Sequence, residues 1–243
     1  MSKLKLYKIK SEMALRKIEY KFGVDVKMTD EEILVKQIQH NNIDMIFDIG
    51  ANVGQFGELI YKLGYKGKMV SFEPLQNAYN VLVTASKHYE GCMPAERCAI
   101  GDCDGEIEIH VSENSISSSA LSMLKEHENA APDSKYVGTE KANVYKLDSV
   151  FDKYSQGSKN ILVKIDTQGF EDKVINGAAE SLGKIKGLFM EMSLVRLYDD
   201  QILFKQLYEK ILSCGFELYG IQPAFVNKET GRVLQVDATF FRE

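Results

Sequence analysis

A glycine-rich turn in the first quarter of the chain could bring the backbone close to a bound ligand. The string FDIGANVGQ covers residues 47–55, with Asp48 two positions before Gly50 and Gly54 four positions after it. Glycines permit such an approach, and the N–H groups at the start of a following helix can bind a carboxylate. The dinucleotide fingerprint G-x-G-x-x-G would need glycine where this chain has Asn52 and Gln55. Because those side chains would obstruct a pyrophosphate, the turn favours a ligand without one.

A second acid follows at a spacing that suits a nucleoside. The segment MVSFEP, residues 69–74, places Glu73 at the end of a strand-like run, 23 positions after Gly50. A carboxylate at about this distance can accept hydrogen bonds from both hydroxyls of a ribose. By itself Glu73 would equally fit a solvated loop acid, but Asp48 adds a group suited to a positive charge. S-adenosylmethionine carries a ribose, an ammonium and a sulfonium but no phosphate, so the two acids together predict that cofactor.

The elements that must position these residues alternate along the chain from Ile43 onward. The predicted strands cover residues 44–49, 69–72, 98–100, 106–111, 161–165, 188–192, 216–221 and 236–241, with helical segments between most of them. Such alternation is typical of a parallel sheet with helices on both faces. We predict an α/β fold with a seven-stranded, mostly parallel sheet that ends in a C-terminal antiparallel hairpin.

Two segments lie outside this alternation. Thr29 and Glu32 fit a capping box at the start of a helix that ends at Asn41, which predicts an N-terminal helical extension over residues 1–42 and one catalytic domain over residues 43–243. Residues 112–142 are rich in Ser, Glu, Asn and Lys and lack sustained periodicity. We predict a long loop there, near the carboxyl edge of the sheet, where it would contribute to substrate specificity.

Composition narrows the possible partners and the compartment. The net charge of -5 argues against nucleic acid, which needs a positive field. No apolar run is long enough for a transmembrane helix, and the four cysteines lack zinc-site spacing, so we predict a cytoplasmic protein. Residues 3–21 are basic and partly apolar and could touch an anionic membrane surface, although packing against the domain is the favoured interpretation. The oligomeric state stays open.

Beyond these two motifs the sequence resembles the FkbM family of methyltransferases from about Ile46 to its end. The strings that carry the resemblance are AIGD (residues 99–102), DGE (104–106), SSS (117–119), LD (147–148), KIDTQGFE (164–171) and a strand ending at Glu191. One departure is Gln168, where the family usually carries Glu. The resemblance implies a Rossmann-like class I methyltransferase fold that uses S-adenosylmethionine and usually methylates a hydroxyl of a sugar, glycan or natural product.

The resemblance also implies roles for individual positions. Asp48 and the turn after it would hold the methionine end of the cofactor, Glu73 would hold the ribose, and residues 98–100 would flank the adenine. The predicted cofactor-binding residues are Asp48, Gly50, Ala51, Asn52, Gly54, Gln55, Glu73, Pro74, Ala99, Ile100 and Asp166.

A hydroxyl acceptor is a weak nucleophile that benefits from a general base. Asp166, at the end of a core strand, is the first candidate, and Lys164 and Glu191 complete the predicted catalytic set. Lys164 would point the same way as Asp166 in an extended strand and could pair with it. Asp166 could instead cap the following helix. Of the histidines, His110 is a minor candidate, and His40, His88 and His127 are expected at the surface.

Three alternatives remain. Asp166 and Glu191 could bind a magnesium-like ion, although a metal is not favoured. A nicotinamide- or nucleotide-dependent oxidoreductase could use a similar sheet, although Asn52 and Gln55 count against it. A non-catalytic cofactor-binding module would not need Asp48, Glu73 and Asp166 together.

Overall fold

A seven-stranded sheet organises the chain in the computed structural model, which describes residues 28–243. The strands are β1 (Met45–Ile49), β2 (Lys68–Phe72), β3 (Cys92–Pro94), β4 (Ala99–Gly101), β5 (Gly105–Ser112), β6 (Tyr136–Lys146), β7 (Ile161–Ile165), β8 (Ile185–Ser193), β9 (Glu217–Val226) and β10 (Val233–Phe241). The helices are α1 (Asp30–His40), α2 (Gln55–Lys62), α3 (Gln76–Ser86), α4 (Lys125–Ala130), α5 (Leu147–Ser155), α6 (Glu171–Asn176) and α7 (Phe204–Ser213). The basic stretch at residues 3–21 lies outside the described residues.

The main sheet has the strand order β3-β2-β1-β7-β8-β10-β9. Strands β3, β2, β1, β7 and β8 are parallel, while β10 pairs antiparallel with both β8 and β9. The predicted seven-stranded, mostly parallel sheet with a terminal antiparallel hairpin is therefore confirmed. Strands β1 and β7 are buried along their whole length because apolar clusters cover both faces of the sheet.

A separate three-stranded sheet, with the order β4-β6-β5, was not predicted. The strands predicted at residues 98–100 and 106–111 belong to it, and the edge strand β3 takes a place in the main sheet. The stretch predicted as a loop, residues 112–142, contains α4 and the first part of β6. Most residues of β6 are exposed or half-buried, so the strand lacks the hydrophobic alternation that would reveal it in the sequence.

Helix α1 begins as predicted. The side chain of Thr29 accepts from the N–H of Glu32, and the Glu32 side chain accepts from the N–H of Thr29, which is a complete capping box. Leu34, Val35 and Ile38 pack this helix onto the sheet. No helix within residues 28–243 is long and apolar enough to cross a membrane.

Strand order also locates the site. The chain leaves β1 between β2 on one side and β7 on the other, so the sheet reverses its direction of growth at β1. Ligands of open α/β sheets bind beyond the carboxyl ends of strands at such a switch point.

Candidate functional site

A cavity lies at this switch point, with about 710 Å³ of empty space when the part open to solvent is included. Of the predicted cofactor-binding residues, those that line it are Gly50, Asn52, Gln55, Glu73, Pro74, Ala99, Ile100 and Asp166. The other three, Asp48, Ala51 and Gly54, are not among the lining residues. The lining residues of the described chain include two acids, Glu73 and Asp166, and no lysine, arginine or histidine.

The turn after β1 passes so close to β7 that its first position accepts only glycine. Gly50 has a φ of +74°, and a Cβ built on it would lie 1.9 Å from the carbonyl oxygen of Asp166. The N–H groups of Gly50 and Ala51 both donate to the carbonyl of Phe72, at 3.1 and 3.0 Å. These contacts tie the end of β1 to the ends of β2 and β7.

Asn52 links the turn to Glu73 and to the loop after β5. Its φ is +48°, and its N–H donates to Oε2 of Glu73 at 2.8 Å. Its side-chain Nδ2 donates to the carbonyl of Ser115 at 3.3 Å, and its Oδ1 accepts from the N–H of Val53. Because the N–H groups of residues 50–54 all have partners within the chain, donors for a carboxylate would come from the first turn of α2, residues 55–57.

Glu73 is held as an acceptor at the cavity wall. Its Oε1 accepts from the N–H of Leu75 at 2.9 Å, while Oε2 accepts from Asn52. The side chain is 4% exposed. Burial raises the pKa of Glu73 to about 7, although both N–H donors favour the ionised form. Each oxygen keeps a second lone pair that can accept from a hydroxyl.

Asp48 and Lys164 form a buried ion pair beneath the turn. Asp48 is fully buried, and Nζ of Lys164 lies 3.0 Å from its Oδ1. The same Nζ donates to the carbonyl of Gly50 at 2.9 Å and lies 3.7 Å from Oδ2 of Asp166. Burial raises the pKa of Asp48, and Lys164 offsets only part of that rise. Contact of Asp48 with a cofactor and a catalytic role of Lys164 stay predictions.

Asp166 directs a partly exposed carboxylate to the cavity, and its side chain is 35% exposed. The alternative interpretation, in which Asp166 caps the following helix, is wrong, because α6 begins only at Glu171 and Phe170 precedes it without a side-chain cap. Glu171 instead provides the hydrogen-bond acceptors for the N–H groups of the loop after β7. Its carboxylate accepts from the N–H groups of Thr167 and Gly169, and sequence reasoning assigned it no such role.

Glu191 lies on β8 and is not among the lining residues. Its Oε2 accepts from Nε2 of Gln168 at 2.9 Å and from Nε2 of Gln235 at 2.7 Å. Burial raises its pKa well above the ordinary value, and the charges of Asp166, Asp237 and Glu171 add to the rise. Asp237 lies opposite Glu191 in the β8–β10 register, and sequence reasoning missed it because strand pairing alone brings the two together. No group of three or more His, Cys, Asp or Glu side chains in the described chain is arranged as a metal site.

The histidines lie away from the cavity lining. His110 stacks on Tyr136, with ring centroids 4.8 Å apart. His127, which was expected at the surface, is buried, so that expectation is wrong. Burial lowers the pKa of His127 to about 4 and keeps it neutral at pH 7.

The loop after β5 supplies a wall that sequence reasoning located only as a segment. Its residues that line the cavity are Ser115, Ile116, Ser118, Ser119 and Ala120. The hydroxyl of Ser119 donates to the carbonyl of Gln168 at 2.6 Å, which ties this wall to the loop after β7. The placement near the carboxyl edge of the sheet agrees with the expectation for this stretch.

Solved structures with a similar chain path include the three that follow. TehB from Haemophilus influenzae matches with a TM-score of 0.49 and 8% identity over 93% of this chain, which spans less than two thirds, 65%, of the TehB chain. Magnesium protoporphyrin IX methyltransferase (ChlM) from Synechocystis PCC 6803 matches with a TM-score of 0.47 and 8% identity over 88% of this chain and 78% of that chain. Fibrillarin from Aeropyrum pernix matches with a TM-score of 0.45 and 9% identity over 81% of this chain and 66% of that chain. A comparison with curated proteins found no match.

A family model gives the decisive comparison. The model described as the methyltransferase FkbM domain matches residues 48–218. This range begins at the acid of the glycine turn and includes Glu73, Asp166 and Glu191, and it spans well over half of the 243 residues. The chain therefore belongs to the FkbM family of S-adenosylmethionine-dependent methyltransferases.

Proposed function

We propose that the protein methylates a hydroxyl of a sugar, glycan or natural product, with Asp166 as the general base. The observation that carries this proposal is that Asp166 brings a partly exposed carboxylate to the same cavity as the glycine turn and Glu73. Glu73 already accepts two backbone N–H groups, so Asp166 is the lining acid with more freedom to accept a proton. Oδ1 of Asp166 accepts one hydrogen bond, from Nε2 of Gln168.

The cavity fits the cofactor better than it fits a dinucleotide. Gln55 lines the cavity, and its side-chain oxygen is buried without a hydrogen-bond partner among the described residues, so it can accept from an ammonium. Glu73 can accept from ribose hydroxyls. A pyrophosphate would meet two acids and no cationic side chain among the lining residues of the described chain. These features support S-adenosylmethionine over the oxidoreductase alternative.

S-adenosylmethionine, when bound, supplies a methyl group on a positively charged sulfur, and alignment of the acceptor with it gives much of the rate. The chain contributes a fixed turn, because Lys164 and Phe72 hold the backbone at Gly50. Asp166 takes the proton from the acceptor hydroxyl at a carboxylate oxygen. Since its side chain is partly exposed, that proton can then pass to water.

We further propose that this enzyme works in the cytoplasm, in glycan or polysaccharide biosynthesis. All four cysteines are free, which fits a reducing compartment. The ionisable acids among the lining residues, Glu73 and Asp166, would repel an anionic acceptor, so the cavity suits a neutral one better.

The test is Asp166→Asn, compared with Asp102→Asn. The two side chains have nearly equal exposure, 35% and 34%, but Asp102 pairs with Lys173 and is not a lining residue. We expect Asp166→Asn to lower kcat/KM by a factor of about 10²–10⁴, as for loss of a general base, while calorimetry still detects S-adenosylmethionine binding. The assay is a 14 Da mass gain on candidate glycans, about one CH₂.

Two results would contradict the proposal. Undiminished turnover in Asp166→Asn would remove Asp166 as the base. Calorimetric binding of NAD without binding of S-adenosylmethionine would favour the oxidoreductase alternative instead.

A further inference from the structure

The side chain of Gln168 connects the carboxylate of Asp166, which follows β7, with that of Glu191, which lies on β8. Its Nε2 donates to Oδ1 of Asp166 at 2.7 Å and to Oε2 of Glu191 at 2.9 Å. An amide nitrogen carries two hydrogens, so one donor is available for each carboxylate. Both carboxylates therefore converge on a single uncharged group.

The orientation of this amide is set by its other end. The O–H of Tyr198 donates to Oε1 of Gln168 at 2.8 Å, and Tyr198 is fully buried. If the amide were rotated by half a turn, its oxygen would face two carboxylate oxygens and the repulsion would be large. A φ of +55° at Gln168 turns the side chain back between the two strand ends.

Two acids that converge on one point usually need a cation or a shared proton to hold them together. Here the second carboxylate is also held by neutral donors, because Gln235 donates to the same oxygen of Glu191 and to Oγ of Ser193. Gln201 donates to Ser193 in turn. The hydrogen-bond donors to Glu191 are thus amides, while the nearest cation, Lys164, lies 3.7 Å from Oδ2 of Asp166 rather than between the two carboxylates.

We infer that Gln168 is a positioning residue whose amide stands where a divalent cation would otherwise bridge Asp166 and Glu191, so that Asp166 is held toward the cavity without a metal. The role of Gln168 in catalysis rests on the proposed function of Asp166 as the base. The placement of the amide between the two carboxylates does not, and it can be tested without any acceptor.

The first measurement titrates Mn²⁺ alone into the wild type, Gln168→Glu and Gln201→Glu, with binding followed by the loss of the free Mn²⁺ paramagnetic resonance signal. Gln168→Glu is isosteric and creates a third carboxylate at the point of convergence. We expect it to bind one Mn²⁺ at least about tenfold more tightly than the wild type. Gln201→Glu is the matched control, because Gln201 is also buried but its hydrogen-bond partners are the N–H groups of Leu197 and Tyr198 and the hydroxyl of Ser193.

The second measurement compares methyl transfer. We expect Gln168→Glu without metal to lower kcat at least about tenfold, with a smaller change in KM for S-adenosylmethionine, since a hydrogen bond to a charged group is lost. Added Mn²⁺ should restore part of kcat, which a merely structural defect would not show. Tyr198→Phe keeps the amide but removes the O–H that orients it, so we expect a smaller loss in the same parameter.

The outcomes are distinct. Mn²⁺ binding by Gln168→Glu no tighter than in the wild type, or equal gains in Gln201→Glu, would overturn the inference. If Gln168→Glu does not fold, judged by circular dichroism, an unchanged kcat in Tyr198→Phe would overturn it. Absence of any methyl transfer by the wild type would contradict the proposed function, while the Mn²⁺ titration would still decide the placement of the amide.

Discussion

Replacement of Lys164 by methionine should destabilise the protein because it leaves a buried acid without its cation. Lys164 is 3.0 Å from the fully buried carboxylate of Asp48 and also donates to the carbonyl of Gly50. Burial lowers the pKa of Lys164, but Asp48 and Asp166 more than offset this and raise it, so the lysine is charged at pH 7. Removing one partner of such a pair costs about 3–5 kcal/mol. That is a large share of the roughly 5–15 kcal/mol that stabilises a typical domain.

The assay is urea denaturation followed by circular dichroism, with the slope m checked for constancy. Lys184→Met is the control, because Lys184 lies at the same 3.0 Å from Asp152 but both side chains are more than half exposed. We expect that control to lose less than about 1 kcal/mol. The double variant Asp48→Asn/Lys164→Met carries no unpaired charge at this position and should be more stable than Lys164→Met alone.

The pH dependence provides an independent check. Without the lysine, the folded state holds a proton on Asp48 that the unfolded state releases at neutral pH, so stability falls as pH rises. The deficit of Lys164→Met relative to the wild type should therefore be larger at pH 8 than at pH 5. A loss no greater than that of Lys184→Met, or a deficit that does not change with pH, would refute the reasoning.

Three further predictions concern the cavity. Gly50→Ala should abolish S-adenosylmethionine binding in calorimetry, because its Cβ would lie 1.9 Å from the carbonyl oxygen of Asp166; retained affinity would show that the turn can move. Affinity for S-adenosylmethionine should fall about tenfold for each pH unit below 7, since burial raises the pKa of Glu73 to about 7 and its ionised form is the acceptor for ribose. If calorimetry gave the same affinity at pH 5.5 and at about pH 8, that role of Glu73 would be contradicted. Ser119→Ala should lower the free energy of unfolding by about 1–3 kcal/mol, because the buried carbonyl of Gln168 loses its 2.6 Å donor; an unchanged urea midpoint would argue against it.

Local sequence patterns were sufficient for the strands that build the centre of the sheet. Ile161–Ile165 was predicted with its observed bounds, and β1 and β2 within one residue, because strands buried on both faces are continuous apolar runs. The acids at their ends, Asp48, Glu73 and Asp166, could then be assigned to one edge of the sheet. Strand β6 was missed because it is largely exposed and its partners, β4 and β5, lie more than twenty residues earlier in the chain.

The amino-acid sequence by itself determined the family, the parallel core and the edge at which the acids gather, since all three depend on local patterns of apolar residues, glycines and strand ends. Only the tertiary structure decided what each acid faces. Asp48 pairs with Lys164 beneath the turn, whereas Asp166 reaches the cavity, although each lies within one residue of the end of a buried strand. Gln168 meets Glu191, 23 residues later, because β8 lies beside β7 and the backbone at Gln168 has a positive φ. Such contacts depend on strand pairing and on side-chain burial between distant segments, and no local spacing of residues encodes them.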